Sequence, residues 1–257
     1  IDEKKNKLVA VKFLRPELQA DEVMVQRFRA EATTAKAVTH ENVISIYSQG
    51  RYRNSDYFVA EFIDGCSLDE LLEPQRHGDP PLSLTCGLWI LDQVCAGLSA
   101  VHRAGIVHRD VKPGNVMVES ETGRVVIMDF GVVGGKRTGG EEEYSDTFGT
   151  PAYMAPEIIN GTIAERKDDK SSIDIYALGV TAFETLTGHL PFNGDNWIDV
   201  LFQHVATAPP RPSSIRPEIS DDLDEVIQRC MAKDPNERYR TIDEFRSALN
   251  STIDMLK

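Results

Sequence analysis

The run His108-Arg109-Asp110-Val111-Lys112-Pro113-Gly114-Asn115 sets a carboxylate, an ammonium and an amide within six positions, Asp110 to Asn115. A second carboxylate, Asp129, follows a short apolar segment and opens Asp129-Phe130-Gly131. Phosphoryl transfer asks for this set. A carboxylate receives a hydroxyl proton, a cation lies near the moving phosphoryl group, and hard oxygen atoms hold Mg²⁺. Asp110 is the candidate base, Lys112 the candidate cation, and Asn115 and Asp129 the candidate metal ligands. Each is ordinary alone, since a turn Asp caps local amides and a surface Lys is commonly solvated. The joint spacing carries the reading.

These groups need elements to hold them. Leu8 to Leu14 reads as a strand with an apolar run around Lys12. Asp21 to Thr39 reads as a helix, with Met24, Phe28, Glu31, Ala35 and Val38 along one stripe. Glu31 then sits on an apolar face, where a carboxylate is costly without a cation, and Lys12 is the candidate partner. Val43 to Tyr47 and Tyr57 to Phe62 read as further strands, and Asp64-Gly65 as a turn that ends the strand-rich part. Leu84 to Arg103 reads as a long buried helix feeding the 108–115 loop. Arg124 to Met128 reads as a short strand that delivers Asp129. From Ser172 onward helical patterns dominate, broken at Pro209 to Pro217, and no internal repeat is present.

Composition narrows the classes. The 257 residues suffice for one large core or two joined lobes. With 41 acidic and 28 basic side chains the net charge is −13, which opposes binding to nucleic acid and to anionic membrane. Cys66, Cys86, Cys95 and Cys230 are widely spaced with no C-x-x-C pair, which favours reduced thiols and a cytoplasmic setting. No uninterrupted apolar run approaches the roughly 18 residues of a membrane helix, and no signal peptide is visible.

The 108–115 run with Asp129-Phe130-Gly131 resembles the catalytic loop and metal motif of eukaryotic-type (Hanks-type) protein Ser/Thr kinases. Further segments match in order: Val9-Ala10-Val11-Lys12, Glu31, Gly149-Thr150-Pro151-Ala152-Tyr153-Met154-Ala155-Pro156-Glu157, Asp174-Ile175-Tyr176-Ala177-Leu178-Gly179, and Cys230 to Arg238. Thr187-Gly188-His189-Leu190-Pro191-Phe192 and Pro209-Pro210-Arg211-Pro212 resemble the bacterial branch. The resemblance implies an α+β, two-lobe kinase fold across residues 1–257. Residues 1–63 form a small β-rich N-lobe and 64–257 a larger helical C-lobe. The first glycine is Gly50, so the family's N-terminal strands and Gly-rich loop are absent from this chain and expected upstream of Ile1.

The resemblance also implies roles. ATP and Mg²⁺ are the expected cofactors, and proteins with Ser/Thr acceptors the expected partners. Lys12 contacts the nucleotide phosphates and pairs with Glu31. Adenine hydrogen-bonds the backbones of Glu61 and Ile63 beside Ala60, between Ala10 and Met117. Glu157 and Arg238 form a structural ion pair, and Asp174 holds the catalytic-loop backbone. Arg109 ahead of Asp110 matches kinases ordered by phosphate, with Ser145 and Thr147 the leading acceptors, Thr138 and Tyr144 behind them, and Gly134 where relatives carry a second basic residue. A binding module that keeps the fold without turnover is the alternative; the missing Gly-rich loop speaks for it, and the presence of Lys12, Asp110 and Asp129 speaks against it. Ala155-Pro156-Glu157 speaks against a small-molecule kinase of related fold.

Overall fold

A computed structural model of the chain describes residues 7–130, 151–162 and 171–254. Three antiparallel strands, β1 (Val9–Phe13), β2 (Ile46–Tyr52) and β3 (Ser55–Glu61), form a sheet in the order β1-β3-β2. The central strand β3 alternates, burying Asp56, Phe58 and Ala60 on one face. Helix α1 (Glu22–Lys36) packs against β2 and β3. Asp21 starts it by accepting from the Val23 and Met24 amides. Its inward stripe is Phe28, Ala32 and Ala35, and the Phe28 ring lies 5.1 Å from that of Phe58.

A second antiparallel sheet, β4 (Gly65–Ser67), β5 (Val116–Glu119) and β6 (Val125–Ile127), runs in the order β4-β5-β6. It fronts a helical body containing α2 (Leu68–Arg76), α3 (Leu84–Arg103), α4 (Pro156–Ile159), α5 (Ser172–Thr187), α6 (Trp197–Ala206), α7 (Asp221–Cys230) and α8 (Ile242–Asp254). Every residue of α5 is buried, so this helix is the axis of the larger core. Among the described residues, α3 alone is long and apolar enough to span a bilayer, although charged and polar residues interrupt its apolar run. Here most of its apolar residues are buried, and it packs against α5, α8 and β6, while Trp89 stays exposed.

Several sequence expectations shift. The strand expected at Val43 to Tyr47 starts at Ile46 and continues to Tyr52. Val43 and Ile44 are claimed instead by β6: the Ile44 amide donates to Ile127 O, and the Ile127 amide donates to Asn42 O, each at 2.9 Å. Gly65 is not in a turn but opens β4, where a Cβ would meet Val118 O at 2.0 Å. The glycine serves close approach of two backbones. Helix α2 escaped the sequence reading, although Ser67 and Glu70 form a capping box at its start. Strand β1 is more exposed than its apolar run suggests, with Val11, Lys12 and Phe13 all exposed.

Below α5, His204 of α6 is fully buried, its Nδ1 2.8 Å from the Tyr176 hydroxyl and its ring edge-on to Phe192. Desolvation, helped by the Lys233 ammonium, pushes its pKa down to about 4 from the ordinary 6.5. The unfolded chain therefore takes up a proton before the folded one does. Stability rises with pH across this window, is fully present above pH 6.5 and is lost as pH falls towards 4. The loss amounts to about 3 kcal/mol. Urea unfolding at pH 7 and pH 4 is expected to show a difference smaller by about that amount in His204→Gln. An equal acid loss in both proteins would contradict it.

Candidate active site

The 108–115 loop is held from beneath by one carboxylate. Asp174, fully buried on α5, accepts the amides of His108 and Arg109 at 2.7 Å each and lies 2.7 Å from His102 Nε2. Arg109 has φ 68°, a left-handed conformation that side-chain-bearing residues adopt at a cost. The pair of charge-assisted bonds to Asp174 offsets that cost. His108 is fully buried; its Nδ1 accepts from the Asp110 amide (3.3 Å) while Nε2 faces Met128 O (3.1 Å). Desolvation holds its pKa below the ordinary range, keeping it neutral. Its ring also lies 5.0 Å from that of Phe130.

The acid candidates are aimed by their neighbours. Asp110 Oδ2 accepts from Asn115 Nδ2 at 2.7 Å and lies 2.9 Å from Lys112 Nζ. Asn115 Nδ2 also donates to Asp110 O at 2.7 Å. Both amide hydrogens are thereby engaged, which makes Asn115 Oδ1 the atom suited to a cation. The Met128 amide donates to Asn115 O at 2.9 Å, tying Asn115 to the residue before Asp129.

Lys12 Nζ bridges Glu31 Oε1 at 2.9 Å and Asp129 Oδ1 at 2.6 Å. Three elements, β1, α1 and the segment after β6, thus meet at one ammonium. Desolvation lowers the Lys12 pKa, but the Asp129 and Glu31 carboxylates together outweigh it and hold the amine charged. Burial pushes the Glu31 carboxyl up, and Lys12 offsets this only in part, so it stays above the ordinary carboxylate range. Asp129 adopts φ 57°, a second left-handed site residue.

Above these groups lies an apolar cleft of about 270 Å³ between the two sheets. Ala10, Lys12, Glu31, Ala60, Glu61, Ile63, Met117 and Asp129 all line it. So do Phe62, Met128 and Phe130, and behind Ala60 the cleft reaches Ala32 and Ala35 of α1 and Ile44 and Ile46. The donor set fits Mg²⁺: one carboxylate and one amide oxygen are hard ligands, and Mg²⁺ takes few protein ligands beside phosphate and water oxygens.

A family model for the protein kinase domain matches residues 1–250. The chain belongs to the protein kinase family. It is 38% identical over 249 residues to the serine/threonine-protein kinase Pkn1 of Myxococcus xanthus, covering 95% of this chain and 34% of that protein. It is 36% identical over 248 residues to PknB of Mycobacterium leprae, covering 94% and 38%. The kinase chain thus spans about a third of the length of these curated relatives. Among solved structures it is similar to the Mycobacterium tuberculosis PknI kinase domain, with TM-score 0.72, 26% identity and coverage of 96% and 85%. It is also similar to Rad53 1-466 in complex with AMP-PNP, with TM-score 0.71, 26% identity and coverage of 94% and 57%. Its bacterial Hanks-type character and its two-part kinase fold follow. Protein kinases in general use ATP and Mg²⁺.

Further down the kinase chain, Arg238 and Glu157 form a buried bidentate pair at 2.8 and 2.9 Å. It fixes α4 against the segment after α7. Gly131, Gly134, Thr138, Tyr144, Ser145, Thr147, Gly149 and Thr150 lie outside the described residues. The sequence reading missed Ala32, Ile44 and Ile46 as cleft residues and Arg124 as a partner of Glu61. Helical phase puts Ala32 four residues after Phe28 and three before Ala35 on the inward face and offered a signal; nothing in local spacing pairs residue 61 with residue 124.

Proposed function

We propose that this chain transfers the γ-phosphoryl group of ATP to Ser and Thr hydroxyls of protein substrates, its own included. The observation that carries the reading is the ammonium of Lys12 joining Glu31 and Asp129 at an apolar cleft, together with Asp110 held between Lys112 and Asn115, whose carbonyl binds the amide just before Asp129. The adenine rests between Ala10 and Met117, on the backbones of Glu61 and Ile63, with Ala60 behind it. Lys12 holds phosphate oxygens, and Glu31 keeps it in place. Asp110 orients the acceptor hydroxyl and takes its proton. Lys112 stabilises the charge on the moving group. Asn115 and Asp129 hold Mg²⁺, which supplies neutralisation of the phosphate oxygens. We read residues 1–257 as one catalytic domain, 1–63 as N-lobe and 64–257 as C-lobe. The four free cysteines support a reducing cytoplasmic setting for it. The net charge of −13 speaks against a nucleic-acid or membrane partner for this segment.

Calorimetric titration tests the metal assignment. In Asp129→Asn, Mg-ATP is expected to bind about ten-fold or more weakly, through loss of a charged hard ligand. Metal-free ATP is expected to bind as well or better, because Lys12 loses a competing carboxylate. The same Mg²⁺ dependence in variant and wild type would contradict the role.

A further inference from the structure

Arg124, just ahead of β6, joins three segments through one guanidinium. Its Nη2 donates to the Glu61 carboxylate at 2.7 Å and to that of Glu119 at 3.3 Å, and its Nη1 donates to Glu41 O at 3.3 Å. Glu61 closes β3 and lines the cleft. Glu41 lies in the loop between α1 and β2, and Glu119 ends β5, the strand that brings Met117 to the cleft. Arg124, Glu61 and Glu119 are only 25%, 15% and 21% exposed at the side chain, so the contacts are partly shielded from water. A planar fork with fixed donor directions resists reorientation more than a point charge does. A second tie lies alongside: Asn42 Nδ2 donates to Val125 O at 2.7 Å and to Gln93 Oε1 at 3.0 Å. That tie bolts the loop after α1 to β6 and α3, and the Arg124 tie extends the same seam to the cleft wall.

We infer that Arg124 is a positioning residue for nucleotide, which holds the Glu61 edge of the cleft to the β5–β6 hairpin and slows nucleotide release. The inference rests on the reading of the cleft as the ATP site. Glu61 belongs to the first sheet, paired with Val9 of β1 and with its amide donating to Ser45 O at 2.9 Å. Glu119 and Arg124 belong to the second sheet's hairpin. A rotation that parts the two sheets about an axis away from this contact stretches the Glu61–Arg124 pair. The ion pair therefore opposes opening while touching neither phosphate nor metal ligand.

Stopped-flow release of a fluorescent ADP analogue from the full-length protein, with Mg²⁺ present, tests this. Arg124→Gln is expected to release it about five-fold faster, the size of one partly exposed charged contact. Peptide KM should stay unchanged. Glu61→Gln should accelerate release to the same extent, and the double variant should be no faster than either single one, because both act through one contact. Arg124→Lys, which keeps the charge without the fork, should fall between. Unchanged release in Arg124→Gln, or additive acceleration in the double variant, overturns the inference. If Arg124→Gln fails to fold, Glu61→Gln decides by the same criterion. Wild-type protein that does not bind the ADP analogue would instead overturn the ATP reading beneath it.

Discussion

Asp110→Asn is expected to lose about three orders of magnitude in turnover while Mg-ATP affinity stays close to wild type. The substitution is nearly isosteric, so the bonds that shape the loop persist: Asp174 still holds the His108 and Arg109 amides, and Asn115 still reaches the residue-110 carbonyl. What disappears is the negative charge that, in the proposed mechanism, attracts the acceptor proton. A positioned base is worth about 10² to 10⁴ in rate. On the proposed reading, nucleotide affinity rests elsewhere, on Lys12, Asp129 and the apolar cleft, whose lining does not include residue 110. Initial rates with a peptide acceptor, beside Mg-ATP titration, separate the two effects. Wild-type rates in the variant would remove Asp110 from the mechanism.

The second large effect concerns the space behind Ala60. Inhibitors with a bulky aromatic group directed behind adenine are expected to bind wild type about a hundred-fold more tightly than Ala60→Phe. Mg-ATP turnover should be largely intact in the variant. The structure gives the reason. The cleft is lined by Ala32 and Ala35 of α1, both small, and by Ile44 and Ile46. Phe58 and Met128, two neighbours large enough to fill the gap, also line the cleft, and Phe58 packs against Phe28. Each methylene equivalent buried there contributes about 0.8 kcal/mol, so four give about 3 kcal/mol, or two orders of magnitude. Ala60→Met should act in the same direction. Equal potency on wild type and Ala60→Phe would show that the space does not accept the group.

Much of this architecture is visible before folding, and the reasons are local. Helix Leu84–Arg103 matches its expected bounds, because a long apolar period leaves little choice of phase. Helix α1 is shorter than expected, Glu22–Lys36, but its phase is right, and phase is what turns Glu31 towards Lys12. The elements that escaped depend on partners distant in sequence. Val43 and Ile44 look like strand residues and are drawn to β6 by main-chain bonds to residue 127. Gly65 looks like a turn signal and serves instead the approach of β4 to Val118. Helix α2 is obscured by an internal Pro74 and by its acidic residues, although its capping box was legible. Lys12 meets Asp129 across 117 positions and Arg124 meets Glu61 across 63. For the first pair a motif marks both ends; for the second no sequence spacing does.

The catalytic claim is tested most directly by mapping phosphate on a protein acceptor after incubation of the full-length protein with Mg-ATP. Phosphate is expected on Ser and Thr hydroxyls, dependent on Mg²⁺ and nearly absent with Asp110→Asn. No transfer by the wild-type protein, or the same sites at the same rate in Asp110→Asn, would contradict it.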